Sequence, residues 1–296
     1  MRVLVSGGSG FIGRHIARGL AARHEVLAPT HAELDLTDAD SVWRWLRAHE
    51  VNAVVHAAVK PGHRNALDLA ALCETNLRQF FSLVRCRAAF GRFVVLSSGA
   101  AYGVQRPLSG VREDEFGAVV PSDSHGFSKY VEALVLAGDD NAVELRPFGV
   151  YGPGEDYAIR FISNACCRAL AGLPITLRRD RRFSYVWVED LAAVVEYALA
   201  DRQDEPLPAG AYNVTPAAPV RLLDVAQMVV EASGKRVPIV VAAEGMGLDY
   251  YGDGGKLSAA LPGWKALTAN EGVANLYRWY ADHRDVVDEA ALLVDR

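Results

Sequence analysis

The stretch that decides the fold is VLVSGGSGFIGRHIARGL, Val3 to Leu20. Val3–Val5 predicts a short buried strand. Gly7, Gly10 and Gly13 follow, and Ile12, Ile16 and Leu20 then recur every four residues, giving a helix one apolar face. Glycines between a strand and a helix let the backbone turn tightly, approach a pyrophosphate and pack the helix on the sheet. The helix N-terminus adds free N–H groups and a partial positive charge. The segment therefore points to a bound dinucleotide, with a tight turn that holds no ligand as the plain alternative.

Outward from it, residues 1–150 alternate β-rich runs with helical patterns. Strands are expected at Val26–Ala28, Ala53–Ala58, Phe93–Ser97 and Val143–Leu145, with the near-continuous apolar character of strands buried on both faces. Thr37 followed by Asp40 predicts a helix start before Val42, Trp45 and Leu46. This alternation predicts an α/β fold, a Rossmann-like doubly wound parallel sheet. After residue 150 the rhythm loosens. Residues 184–200 predict a strand running into a helix, 221–234 a helix closed by Gly234, and 271–283 an amphipathic helix. The expected division is a nucleotide-binding domain over 1–150 and a smaller substrate lobe over 151–296, with part of 183–215 packing back on the first. DRQDEPLPAG, 201–210, reads as a surface loop.

Composition narrows the partners. In 296 residues, 51% hydrophobic and 23% charged, there is enough apolar material for a sizeable core. A net charge of −5 argues against nucleic acid. Cys73, Cys86, Cys166 and Cys167 lack metal-ligand spacing, and no membrane span or signal peptide is evident. Reduced thiols in a cytoplasmic protein without a metal are expected.

The 7, 10, 13 glycine spacing is joined by VVHAAVK (54–60), CETNLR (73–78), VVLSSGAAYG (94–103), LRPFGVYGPG (145–154) and YVWVEDLA (185–192). In this order the motifs resemble the extended short-chain dehydrogenase/reductases, the NAD-dependent epimerase/dehydratase family, over nearly the whole chain. The resemblance implies hydride transfer at a nicotinamide beside a carbinol or ketone, mostly on nucleotide-diphosphate sugars. It places Gly7, Gly10, Phe11, Ile12 and Gly13 at the pyrophosphate, and Thr30, His31, Asp35 and Leu36 around the adenosine. Ala57, Ala58 and Val59 would line the cofactor after the third strand. Asn76, Ser97, Pro147 and Lys129 would surround its nicotinamide end. NAD binding usually puts an acidic residue at the tip of the second strand. Here Ala28-Pro29-Thr30-His31 carries no carboxylate before Glu33, leaving room for a 2′-phosphate near His31 and Arg14. NADP(H) is thus favoured over NAD(H).

The resemblance also implies a catalytic Ser or Thr, which is Ser98, and a Tyr-x-x-x-Lys pair. In SHGFSK (124–129) the lysine is Lys129, but the tyrosine position holds His125. A neighbouring lysine lowers a histidine pKa and makes its protonated form a stronger acid. His125 is accordingly expected to donate a proton during ketone reduction, with Tyr102, Tyr157 or a water as the alternative acid. Gly149 and Phe183 replace an asparagine and an arginine that hold the diphosphate in many relatives. Arg178, Arg179, Arg181 and Arg182 lie just before Phe183 and could compensate, or form a solvated loop. Gly99 stands where dehydratases carry an acid, and Ala100 where some epimerases carry a cysteine. Lys60, His63, Gly99, Gly149, Tyr157, Arg179 and Arg182 are the candidate substrate contacts. The expected activity is an NADPH-dependent 4-ketoreductase acting on a nucleotide-diphosphate sugar. An NAD-dependent 4-epimerase and a silent NAD(P)-binding protein are the alternatives. The resemblance further implies a homodimer built on the Asn76–Phe90 helix and the helix after His125.

Overall fold

The computed structural model describes residues 1–60, 71–199 and 207–294, so His63 and residues 201–206 of the expected loop lie outside the described residues. Its centre is a six-stranded sheet in the order Gly210–Val214, Ala142–Pro147, Arg92–Leu96, Ala53–His56, Arg2–Ser6, Glu25–Leu27, with every pairing parallel. Val3, Val5, Val54, Val55, Val94, Val95 and Val143 are wholly buried, which explains their unbroken apolar runs. The winding direction reverses between Arg2–Ser6 and Ala53–His56, and this switch opens a crevice at the carboxyl ends of the strands.

Helices cover both faces. Phe11–Leu20 and Val188–Leu199 seal one side through Ile16, Leu20, Leu191 and Val195. Ala39–His49, Leu72–Arg85 and Ser124–Leu136 seal the other through Val42, Leu46, Phe80, Leu83 and Leu136. The first of these is capped by Asp38, which accepts from the amides of Asp40 and Ser41. Thr37, the expected cap, instead donates its hydroxyl to Asp35. The helix expected over Asn76–Phe90 runs from Leu72 to Arg85 and passes into a short 3₁₀ turn at Arg87–Ala89.

The chain crosses the boundary at residue 150 in both directions. Val186, the helix Val188–Leu199, the strand Gly210–Val214, Leu257 and Leu261 all join the core of the sheet. Conversely, the strand Leu108–Val111 leaves the first half to pair with Tyr250–Gly252. That pairing brings a tyrosine from the C-terminal half over the crevice. The second lobe packs Phe161–Leu170, Leu222–Ser233 and Ala269–Asp282 around Tyr151, Cys166, Trp187, Val229 and Tyr280. All four cysteines are unpaired, and three are buried. Among the described residues no helix is long and apolar enough to cross a membrane, and no cluster of acidic, histidine and cysteine side chains could hold a metal.

Candidate active site

At the crevice the glycine turn is packed too tightly for side chains. Gly7 has φ +74°, and a Cβ there would lie 2.7 Å from the Ala58 Cα. A Cβ on Gly13 would run into the Gly7 carbonyl. The helix Phe11–Leu20 starts at Gly10 with no side-chain cap, so its first-turn amides remain available to an anion. Beneath the turn Ser6 Oγ meets His56 Nδ1 at 2.8 Å. Burial, helped by the charge of Lys129, pushes His56 down to about 3, so it serves as a neutral strut.

Beside the turn a cavity of about 340 Å³ is lined by Gly7, His31, Asp35, Leu36, Ala58 and Lys60, all named from sequence as site residues, and by Thr37, Thr75 and Gln79, which were not named as such. Lys60, expected at the substrate, lines this cavity together with His31, Asp35 and Leu36, which were expected around the adenosine. Thr30 donates its amide and hydroxyl to Glu33 (2.7 and 2.8 Å), and Thr37 does the same to Asp35 (2.8 and 2.7 Å). These hydrogen bonds hold both carboxyls below their ordinary range. Both carboxylates are thus committed to their own loop. Arg14 departs from expectation. Its guanidinium donates to the Gly154 carbonyl and lies 6.0 Å from the Phe11 ring centre, so it fastens the crossing segment instead of the strand tip. Asn76 is buried, and its Oδ1 accepts from the Lys60 amide at 2.7 Å. It pins the loop after the third strand. Val59 stays 41% exposed beside it. At the end of the fourth strand the buried Ser97 hydroxyl has no hydrogen-bond partner. A glycine cradle, an uncapped helix and an orphaned hydroxyl at the far end fit an extended dinucleotide.

Ser98 starts the 3₁₀ turn Gly99–Tyr102, and its Oγ accepts from the Ala100 amide at 3.1 Å. The helix carrying His125 and Lys129 is capped by Asp123, which accepts from the Gly126 amide at 2.8 Å. A Cβ on Gly126 would lie 2.8 Å from the Ala100 carbonyl, so the helix start sits directly on the Ser98 turn. The His125 Nδ1 is buried without a partner. Burial pushes this histidine down to about 4, with Lys129 and Arg160 adding to the effect and Asp123 opposing it. The direction matches that expected from Lys129, but burial is the larger cause. A ring titrating there is neutral at pH 7.

Lys129 is 3% exposed and donates to the Leu96 carbonyl (3.1 Å) and to Glu132 (2.9 Å). Burial pushes the Glu132 carboxyl up and the lysine pulls it back. This buried counter-ion went unnoticed in the sequence, although its i,i+3 spacing from Lys129 was available as a signal.

The two candidate tyrosines are elsewhere. Tyr102 donates to Asn213 at 2.8 Å and accepts from Arg146 at 2.9 Å, and Tyr157 accepts from the Asp288 amide at 2.7 Å. The phenol that faces the serine is Tyr250, whose oxygen lies 3.4 Å from Ser98 Oγ. Below it the Phe148 ring fills the space that side chains would need at Gly99 and Gly252. The nearest Phe148 ring atom would lie 2.5 Å from a Cβ on Gly99. Gly149 is similarly occupied, since a Cβ there would lie 2.7 Å from the Phe183 ring and 2.8 Å from Tyr185. Pro147 is buried just before this pair. Of the arginines, Arg182 is tied to Asp249 at 2.5 Å and Arg179 is exposed on the surface. Arg181 lies 5.0 Å from the Phe183 ring centre, and Arg160 is close enough to act on His125. Arg160 acts on His125 and Arg181 on Tyr250, and sequence reasoning missed Arg160.

Residues 3–215 match the NAD dependent epimerase/dehydratase family. Over 271 residues the chain is 30% identical to a dTDP-4-dehydro-6-deoxy-D-allose reductase from a Streptomyces species, covering 79% of this chain and 81% of that one. A 2'-dehydrokanamycin reductase from Streptomyces kanamyceticus is 29% identical over 224 residues, 68% of this chain and 58% of the other. The solved UDP-glucose 4-epimerase of Thermus thermophilus, in complex with NAD, superposes with a TM-score of 0.79 at 28% identity, covering 95% of this chain and 99% of that one. With the match running from the first strand through the sixth, the chain belongs to the NAD dependent epimerase/dehydratase family, as an enzyme of the extended short-chain dehydrogenase/reductase type.

Proposed function

We propose that the protein is an NAD(P)H-dependent ketoreductase that reduces a C4 keto group on a nucleotide-diphosphate sugar. The observation that carries this reading is the Ser98 turn, which lies against the start of the helix bearing His125, whose Nδ1 has no partner, on a floor that Phe148 closes to any side chain at Gly99. A dehydratase needs an acid at that closed position. Two relatives described as reductases support the same direction.

The glycine turn, Ala58 and Ser97 would hold the cofactor, whose nicotinamide supplies a hydride when bound. Ser98 donates a hydrogen bond to the ketone oxygen. His125, kept neutral by burial, donates a second from its ring N–H, so negative charge developing on that oxygen meets two fixed donors. Buried Lys129, one residue beyond the Ser128 hydroxyl that bonds His125's own carbonyl, holds the helix to the fourth strand through Leu96. Arg160 and Arg181 would take the diphosphate. NADP(H) is preferred on our reading because Thr30 and Thr37 each occupy one oxygen of Glu33 and Asp35, and exposed His31 lies 3.9 Å from Asp35 at the same rim. Phe81, Phe127, Leu134 and Val135, exposed on Leu72–Arg85 and Ser124–Leu136, would form a homodimer seam, which sedimentation equilibrium tests directly.

The test is incubation with a dTDP-4-keto-6-deoxyhexose and NADPH or NADH, followed at 340 nm and by NMR of the sugar. Stoichiometric cofactor oxidation with a new C4 carbinol is expected, faster with NADPH. The second reading, a 4-epimerase, is favoured by the likeness to the Thermus enzyme. It would prevail if NAD co-purified and UDP-sugars were interconverted at C4 without net cofactor turnover.

A further inference from the structure

We propose that Tyr250 feeds the proton of ketone reduction through Ser98, replacing from the C-terminal lobe the phenol that position 125 lacks. The proposal rests on the reductase reading above. Tyr250 opens the strand Tyr250–Gly252, which is fixed between Leu108–Val111 and Phe183. Its ring meets Phe148 at 5.1 Å and Phe183 at 4.9 Å, between centres. That packing leaves the phenol one place to point, toward Ser98 Oγ at 3.4 Å. The contact is long, as catalytic hydrogen bonds often are before substrate tightens them.

Either oxygen can be the donor in this contact, and the relay assigns the proton to run from Tyr250 to Ser98. A serine hydroxyl has two acceptor positions and one proton. The Ala100 amide fills one acceptor position of Ser98. A proton from Tyr250 fills the other, and the Ser98 proton must then point away from both, into the crevice. The opposite arrangement would spend the Ser98 proton on the phenol and leave none for a ketone. Tyr250 also holds its proton at working pH. Burial pushes it up to about 12, with Asp123 in the same direction, while Ser98, Arg181 and the Ala100 amide pull it down. His125, at about 4, carries no extra proton to give.

The carbonyl carbon receives hydride from the reduced nicotinamide, and the carbonyl π pair becomes a lone pair on oxygen. That oxygen takes the Ser98 proton, Ser98 takes the Tyr250 proton, and solvent reprotonates the phenolate. One hydride and one proton are consumed for each carbinol formed. Tyr250 is a relay residue acting through Ser98.

The experiment has two arms on the full chain. In the first, protein labelled at tyrosine Cζ with ¹³C is titrated by NMR without substrate, with Tyr250→Phe assigning the resonance. Ser98→Ala should shift that resonance and raise its titration midpoint; no change would overturn the Tyr250–Ser98 link. In the second, NADPH reduction of a dTDP-4-keto-6-deoxyhexose is compared in wild type and Tyr250→Phe, which keeps the aromatic packing. The variant should lose ~100-fold in kcat, the lower scale for a general acid, with KM little changed. Its log kcat should fall toward slope −1 between pH 6 and 9, where wild type is flat, because hydronium now supplies the proton. An equal loss at every pH would mean a merely structural role and overturn the relay, as would an unaffected kcat. A wild type that reduces no keto sugar offered would instead overturn the reductase reading, and the relay with it.

Discussion

His125 separates two mechanisms by their pH dependence. If an imidazolium at position 125 delivered the proton, its supply would shrink as pH rises above the point where the ring titrates, about 4. At pH 7 only ~1 molecule in 1,000 would be armed, a deficit of ~4 kcal/mol at 1.36 kcal/mol per pH unit. Log kcat would then fall with slope −1 across pH 5 to 8. If the neutral ring acts as a hydrogen-bond donor, kcat is flat over that range. Steady-state rates of wild type, His125→Gln and His125→Phe with NADPH and a keto-sugar nucleotide distinguish the cases. Glutamine retains an N–H donor and should lose no more than ~10-fold, whereas phenylalanine should lose ~100- to 1,000-fold, the cost of one donor to a developing oxyanion. Lys129, Arg160 and Asp123 all face the ring, so the profile should be repeated at high salt, which screens the exposed Arg160 more than buried Lys129. A wild-type slope of −1 that disappears in His125→Gln would refute the neutral-donor reasoning.

Two further outcomes test the surroundings. Gly149→Ala should cost ~1–3 kcal/mol by overpacking against Phe183 and Tyr185. Adding Phe183→Ala should recover part of that cost, a positive coupling in a urea-unfolding double-mutant cycle, whereas additive effects would mean the two residues do not touch. Glu132→Gln strands a buried ammonium and should lower the unfolding free energy by ~3–5 kcal/mol. Replacing Lys129 and Glu132 together by methionine should restore most of it, and a loss below ~1 kcal/mol in the single variant would show that water reaches the pair.

The sheet was legible because strands buried on both faces must be apolar throughout, as Val54-Val55 and Val94-Val95 are. The glycine turn was legible because the positive φ of Gly7 and the contact of Gly13 with its carbonyl exclude other residues. The cap at Asp38 was misplaced by one residue, since Thr37 and Asp38 can both accept an amide and only the competing bond to Asp35 decides between them. Arg14 was misassigned because helical periodicity gives a face but not what covers it, here Gly154 from the crossing segment. Tyr250 left no signal at all. A three-residue strand has too few positions to show alternation, and its partner Leu108–Val111 lies about 140 residues away in the chain, an offset that matches the 140 separating Ser109 from Asp249.

The departures at Gly99, Gly149 and Phe183 are separate in the sequence and joined in the fold. Phe148 occupies the space above Gly99 and Gly252 and packs edge-on to Tyr250. Phe183 also packs on this tyrosine and covers Gly149. Phe148 and Phe183 are therefore the rings that pack Tyr250 beside Ser98. Restoring asparagine at Gly149 would push Phe183 and Tyr185 aside and release Tyr250. Restoring tyrosine at His125 would place a second phenol at an occupied hydroxyl. Either family residue put back singly should reduce activity, because Phe148, Phe183 and Tyr250 share one packed floor over Gly99 and Gly149 beside Ser98.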